Sequence, residues 1–219
     1  MIDLSQVLVA VFDCDGGILE SNQLKKEGFR ETLRGEPSDQ VEEFVTFHEF
    51  YSGVSRYVKL DYYFREIKKL GGFKTEVEKA LQHCSSFVRV AVLSCDEVPG
   101  IRATLAYLKA QSVNCAVNSG GDEQELHKLF QARGLDEYLI EILGSPKKKT
   151  NNSEILKECG YLDRPGVYFG DSKSDLMGAS KFGLDFVFIN GVSEWTDGVA
   201  FCCNRHIPMI ESCADLQIG

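Results

Sequence analysis

A chain of 219 residues can bury one core of ordinary size together with a smaller inserted unit. Its formal charge of −9, from 24 basic and 33 acidic residues, argues against a nucleic-acid footprint, so any anionic ligand must be attracted locally. No basic start leads into an apolar segment and no apolar run approaches about 18 residues, so neither export nor membrane spanning is expected and a cytoplasmic location is. The 8 cysteines include no Cys-x-x-Cys pair and read as buried thiols. The 4 histidines, His48, His83, His127 and His206, show no ligand spacing and read as structural.

Val7 to Phe12 is an unbroken apolar run, as expected of a strand covered on both faces in a parallel sheet. It ends in Asp13-Cys14-Asp15-Gly16-Gly17. With period-two alternation the two carboxylates share one side and Cys14 points away. Like charges held so close persist when a cation or a proton sits between them.

Helical periodicity follows from Ser21 to about Leu93. Leu24, Phe29 and Leu33 share one face, and Val41, Phe44, Val45 and His48 share another, with Ser38 as the expected N-cap. Ser55 is placed to cap a third helix through Leu60, Phe64 and Ile67, and Thr75 to Glu78 has the spacing of a capping box for a fourth. Phe87 to Leu93 fits strand or helix, and helix is the reading adopted.

A helix from Ile101 to Lys109 precedes a second buried strand, Val113 to Val117. Asn118-Ser119-Gly120-Gly121 then reads as a turn into a helix, a recipe for an anion site because free N–H groups converge there. Ile140 to Leu143 is a third short strand, followed by Gly144-Ser-Pro-Lys-Lys-Lys149 and a helix around Ile155 and Leu156. A fourth strand ends in Gly170-Asp171, with Asp175 four residues on in the first turn of the next helix, so both carboxylates reach one pocket. Leu184 to Ile189 is a further strand, and the tail closes the core. Tyr168 and Trp195 read as packing residues.

Four strand ends carrying acid, small hydroxyl, lysine and acid, in that order, resemble the haloacid dehalogenase superfamily. The residues that carry the resemblance are Asp13-x-Asp15-Gly, Ser119, the lysine of Gly-x-Pro-x-x-Lys, and Gly-Asp171-x-x-x-Asp175. It implies an α/β fold: a Rossmann-like parallel sheet core over residues 1–19 and 94–219, with a small α-helical cap inserted over 20–93. It also implies an Mg²⁺-dependent phosphatase in which Asp13 is the nucleophile and Asp15 the acid/base. Asp13, Asp15 (through its backbone carbonyl), Asp171 and Asp175 would hold the ion, with Asp175 as ligand or support. Ser119, the amides around Gly120 and a lysine would hold the phosphoryl oxygens. The motif spacing selects Lys149, with Lys148 as the alternative.

Arg56 lies where relatives with such a cap carry a substrate-reading arginine, and it also reads as a solvated helix start. Gly17 stands where the family has Thr or Val, a departure expected to loosen the turn. The implied partner is a small phosphorylated metabolite, a sugar phosphate or phosphoglycolate-like ester, with no nucleic acid and no membrane. A phosphosugar mutase of the β-phosphoglucomutase type and a non-catalytic binding protein on the same fold are the alternative functions.

Overall fold

The computed structural model describes residues 4–162 and 165–217, apart from the Ser153 side chain. Residues 1–3, 163–164 and 218–219 of the expected core range lie outside the described residues. Six strands form one sheet: β1 (Val9–Phe12), β2 (Asn114–Asp122), β3 (Glu141–Ser145), β4 (Gly166–Gly170), β5 (Asp185–Ile189) and β6 (Met209–Ile210). Their spatial order is β3-β2-β1-β4-β5-β6, and every pairing is parallel. β1 lies between β2 and β4, with Phe12 in register with Val117 on one side and Phe169 on the other.

Alternation along β1 feeds two cores. Ala10 and Phe12 join one apolar layer, and Val9 and Val11 join the other. Phe12 stacks on Phe169 at 4.9 Å, which locks β1 to β4 just before their acidic ends. Strands buried on both faces need helices above and below. These are α5 (Ile101–Ala110) and α6 (Glu123–Arg133) on the Phe12 side, and α7 (Asn152–Glu158), α8 (Lys173–Phe182) and α9 (Gly198–Asn204) on the other.

Between β1 and α5 the chain makes a helical insert: α1 (Asn22–Thr32), α2 (Ser38–Phe50), α3 (Arg56–Tyr62) and α4 (Lys74–Ser94). A π-helical turn, Tyr63–Ile67, extends α3. The insert has its own aromatic packing, in which Phe44 meets Phe29 and Tyr63 edge-on and Phe47 stacks on Tyr62. At its root the two connecting chains run side by side. Leu19 bridges both Asp15 and Glu97, while Glu20 and Val98 donate backbone N–H groups to Asp96 and Ile18.

Several local expectations change. β2 does not stop at Val117; it continues through the small polar run to Asp122, with an irregular register against β3. Asp122 then caps α6 by accepting from Glu125 N at 3.0 Å. Ser55 caps α3 as expected, but Pro37 rather than Ser38 occupies the N-cap of α2. α4 starts one residue ahead of Thr75, at Lys74, with no side-chain cap, and runs unbroken through Phe87 to Leu93. Cys159 and Cys203 are exposed rather than buried. Among the described residues, no helix is long and apolar enough to cross a membrane.

Candidate active site

The C-terminal edge of the sheet collects the charged residues, as parallel sheets do with their functional groups. Asp13 follows β1 and donates its backbone N–H to Phe169 O at 2.9 Å. Asp171 follows β4, and Asp175 lies in the first turn of α8. Ligand oxygens of Asp13, Asp171 and Asp175 lie within 4.8 Å of one another, and all three residues are buried. Lys149, delivered by the segment after β3, places its ammonium 2.8 Å from Asp13 Oδ1 and 2.6 Å from Asp175 Oδ1. Lys149 is buried and Lys148 exposed, so it is Lys149 that reaches the carboxylates.

One ammonium among three buried carboxylates leaves a deficit of positive charge. Burial, then the charge of Asp175, pushes the Asp13 carboxyl up to about 7 despite Lys149. Burial and Asp13 likewise push Asp171 well above its ordinary value. Burial would lower Lys149, but Asp13 and Asp175 outweigh it and hold the ammonium well above its usual range.

Asp175 is committed to the protein. Oδ1 accepts from Lys149 and from the Tyr168 hydroxyl at 3.1 Å, and Oδ2 accepts from Ser172 N at 3.1 Å and Ser172 Oγ at 2.6 Å. Tyr168 is therefore more than packing, since its hydroxyl ties α8 to the cluster. Asn22, the first residue of α1, donates from Nδ2 to Asp171 Oδ2 at 2.6 Å and so orients that carboxylate.

Asp15 faces the insert. Its Oδ1 accepts from Ser21 Oγ at 2.6 Å, and its Oδ2 is ion-paired with Lys25. Burial raises its pKa, but Lys25 and the two hydrogen bonds carry it below the ordinary carboxylate value. The turn beyond it is tight. A Cβ at Gly17 would collide with the Asp13 carbonyl oxygen, and Ile18 and Leu19 both donate to Cys14 O. The glycine thus closes the turn onto the Asp13 backbone, contrary to the loosening expected from its departure from Thr or Val.

A narrow chamber lies between sheet edge and insert, with Asp13, Asp15, Gly120 and Gly121 on the sheet side. Ser119 does not line it; the hydroxyl is buried and accepts from Gly121 N at 3.0 Å. Arg56, at the start of α3, lines the chamber and pairs with Glu125 of α6 at 2.6 Å, so it is not a freely solvated helix start. Tyr57 Oη donates to Asp122 at 2.8 Å and Ser85 to Glu125, which fastens the insert to α6. Lys25, Lys59 and His48 also line the chamber and were missed in the sequence, where they read as ordinary helix residues.

A family model described as haloacid dehalogenase-like hydrolase matches residues 10–189, and the chain belongs to that family. A curated phosphoglycolate phosphatase from Pasteurella multocida (strain Pm70) is 27% identical over 123 residues. That match takes in 53% of this chain and spans 50% of the relative's length. The crystal structure of a predicted phosphoglycolate phosphatase from Haemophilus somnus 129PT has a TM-score of 0.74 at 16% identity, covering 97% of both chains. CbbY from Rhodobacter sphaeroides, solved in complex with xylulose-(1,5)bisphosphate, has a TM-score of 0.71 at 18% identity, covering 96% of both. At these identities the structural likeness is one of fold.

Proposed function

We propose that the chain is an Mg²⁺-dependent phosphatase that hydrolyses a small phosphorylated metabolite, a sugar phosphate or phosphoglycolate-like ester, through an aspartyl phosphate on Asp13. The observation that carries this reading is the Lys149 ammonium, held against Asp13 within a buried, carboxylate-rich cluster that opens onto a closed chamber. The oxygen-only donor set of Asp13 and Asp171, with the Asp15 carbonyl, suits a hard divalent cation. Mg²⁺ bound there supplies positive charge that lets a carboxylate approach an anionic phosphoryl group.

The chain's own residues divide the remaining work. Asp13 attacks phosphorus, with its carboxylate oriented by Lys149 and by the Cys14 N–H at 2.8 Å. Asp15 gives a proton to the leaving oxygen and then takes one from the water that cleaves the intermediate. Its pairing with Lys25 favours the deprotonated form, the one that the second half-reaction needs. Lys149 and the Gly120 and Gly121 amides hold phosphoryl oxygens. Ser119 supports them by fixing the Gly121 N–H. Asp175 positions Lys149 rather than serving as a ligand, because four protein donors occupy its oxygens.

The helices of residues 20–93 act as a cap over the core of 1–19 and 94–219, excluding water when closed. Relatives carrying the names of phosphoglycolate phosphatase and a xylulose-bisphosphate complex support a small phosphorylated substrate. The free state of all 8 cysteines fits the reducing cytosol. The test is phosphate release from sugar phosphates and phosphoglycolate with and without Mg²⁺, beside Asp13→Asn. Metal-dependent release that falls at least about a thousandfold in the variant is expected. Isomerised product in the presence of a bisphosphate would replace hydrolysis by the mutase reaction, and no turnover by either protein would remove the enzyme reading.

A further inference from the structure

Among the described residues, the cations lining or adjoining the chamber are each ion-paired with a carboxylate except one. Lys25 meets Asp15, Lys149 meets Asp13 and Asp175, and Arg56 meets Glu125. Lys59, on α3, lines the same chamber at 2% exposure, yet its hydrogen-bond partners are His48 Nδ1 at 2.6 Å and the His48 carbonyl at 3.4 Å. Neither carries charge. Burying an ammonium without a counterion costs several kcal/mol. Burial, then the charge of Lys25, pulls Lys59 down to about 7 against the more distant Glu194 and Asp15, whereas the equally buried Lys149 is pushed the other way by the carboxylates it touches.

The arrangement around His48 prepares Lys59 to keep its charge. An ammonium can donate to Nδ1 only if that nitrogen offers a lone pair, which places the ring proton on Nε2. Nε2 faces Glu194 Oε2 at 3.9 Å, and Lys26 holds Glu194 at 3.0 Å. Burial and the neighbouring Lys59 keep the imidazole neutral, with its pKa lowered to about 2. Glu194 comes from the segment after β5, and its carboxylate stands beyond hydrogen-bond reach of Nε2, so the contact that selects the tautomer is the one between Lys59 and Nδ1.

We propose that Lys59 reads a second anionic group on the substrate, a carboxylate or a second phosphate, with His48 as the positioning residue. This deepens the phosphatase reading and rests on it for the location of the reacting phosphoryl group. The substrate then brings the paired anion that Lys59 lacks, and its two anions are held by opposite walls, the sheet edge and α3.

The test separates the two claims. Calorimetry at saturating Mg²⁺ compares three non-hydrolysable probes: phosphonoacetate, ethane-1,2-diphosphonate and the neutral-tailed ethylphosphonate. The wild-type chain is expected to bind the first or the second at least tenfold more tightly than the third, and the preferred probe identifies the anion. Lys59→Met abolishes the preference, and Lys59→Arg restores part of it. Equal affinities in the wild-type chain, which needs no variant to fold, overturn the inference, as does a preference that survives Lys59→Met. Hydrolysis of ethyl phosphate and phosphoglycolate is measured in parallel. Turnover without probe discrimination sinks only the role of Lys59, and discrimination without turnover sinks only the phosphatase.

Discussion

Among the described residues, Lys149 is the one cation in contact with both Asp13 and Asp175, and its removal strands buried carboxylates. Breaking a buried pair on one side costs about 3–5 kcal/mol, so Lys149→Met should lower metal-free stability by that order in guanidinium unfolding. Mg²⁺ should restore a larger share in the variant than it adds to the parent; an unchanged midpoint would show that the ammonium is not needed to hold the cluster together. His48 gives a pH signature. It is packed against Lys59 of α3, Phe29 and Lys26 of α1, and Glu194, and its pKa falls from 6.5 unfolded to about 2 folded. The unfolded chain therefore binds a proton that the folded one refuses below 6.5, and stability drops as pH falls, by about 1.4 kcal/mol per unit from this group. Unfolding midpoints of His48→Gln should show a shallower decline between pH 6.5 and 4 than those of the parent. At this scale the motif residues were legible because Asp13, Asp15, Asp171 and Asp175 sit within a few positions of strand ends. Asn22, Tyr168 and Lys59 were not: Asn22 meets Asp171, 149 residues on, Tyr168 donates to the Asn118 carbonyl 50 residues back as well as to Asp175, and Lys59 meets His48, 11 residues back, with nothing local to mark these pairings.

Strands announced themselves through apolar runs, since burial on both faces leaves no room for polar alternation. The extension of β2 through Asn118-Ser119-Gly120-Gly121 was hidden because turn-forming residues were drafted into a strand by pairing with β3. Helix starts in the insert were read one residue off wherever packing rather than a side-chain cap sets the end, as at Lys74. The α2–α3 connection was legible through Ser55 and Arg56 alone, yet its Gly53 also comes close to the sheet edge. Gly53 has φ +77°, and a Cβ there would collide with Ser174 and press on Ser172. Its carbonyl in turn lies against Gly120. Gly53→Ala should therefore hinder closure, reducing kcat/KM by about tenfold or more, while strain at positive φ costs only about 1–2 kcal/mol of stability. Steady-state kinetics beside a melting curve check this; unchanged kcat/KM would mean that closure does not require this contact.

The whole molecule carries a charge of −9 and concentrates part of that surplus where the proposed phosphate ester would bind. A divalent cation resolves both problems at once, so its effect should reach global stability. At about 100-fold excess over its dissociation constant, Mg²⁺ adds about 2.7 kcal/mol, or roughly 5–10 °C in Tm for a chain of this size. Chelation should reverse the shift and Asp171→Asn should remove it; a Tm indifferent to Mg²⁺ in the parent would move the ion elsewhere. At the root of the insert, Leu19 is bridged to Asp15 on one side and Glu97 on the other. The proposed proton carrier is thus part of the joint on which the helices would swing. A lid built this way would also be a clutch: lifting it would carry Asp15 with the joint and out of alignment with Asp13. A phosphorylated Asp13 exposed to solvent would then last because its base has been withdrawn, and the lifetime of that intermediate, hence whether water or a substrate hydroxyl takes the phosphoryl group, would be timed by the hinge.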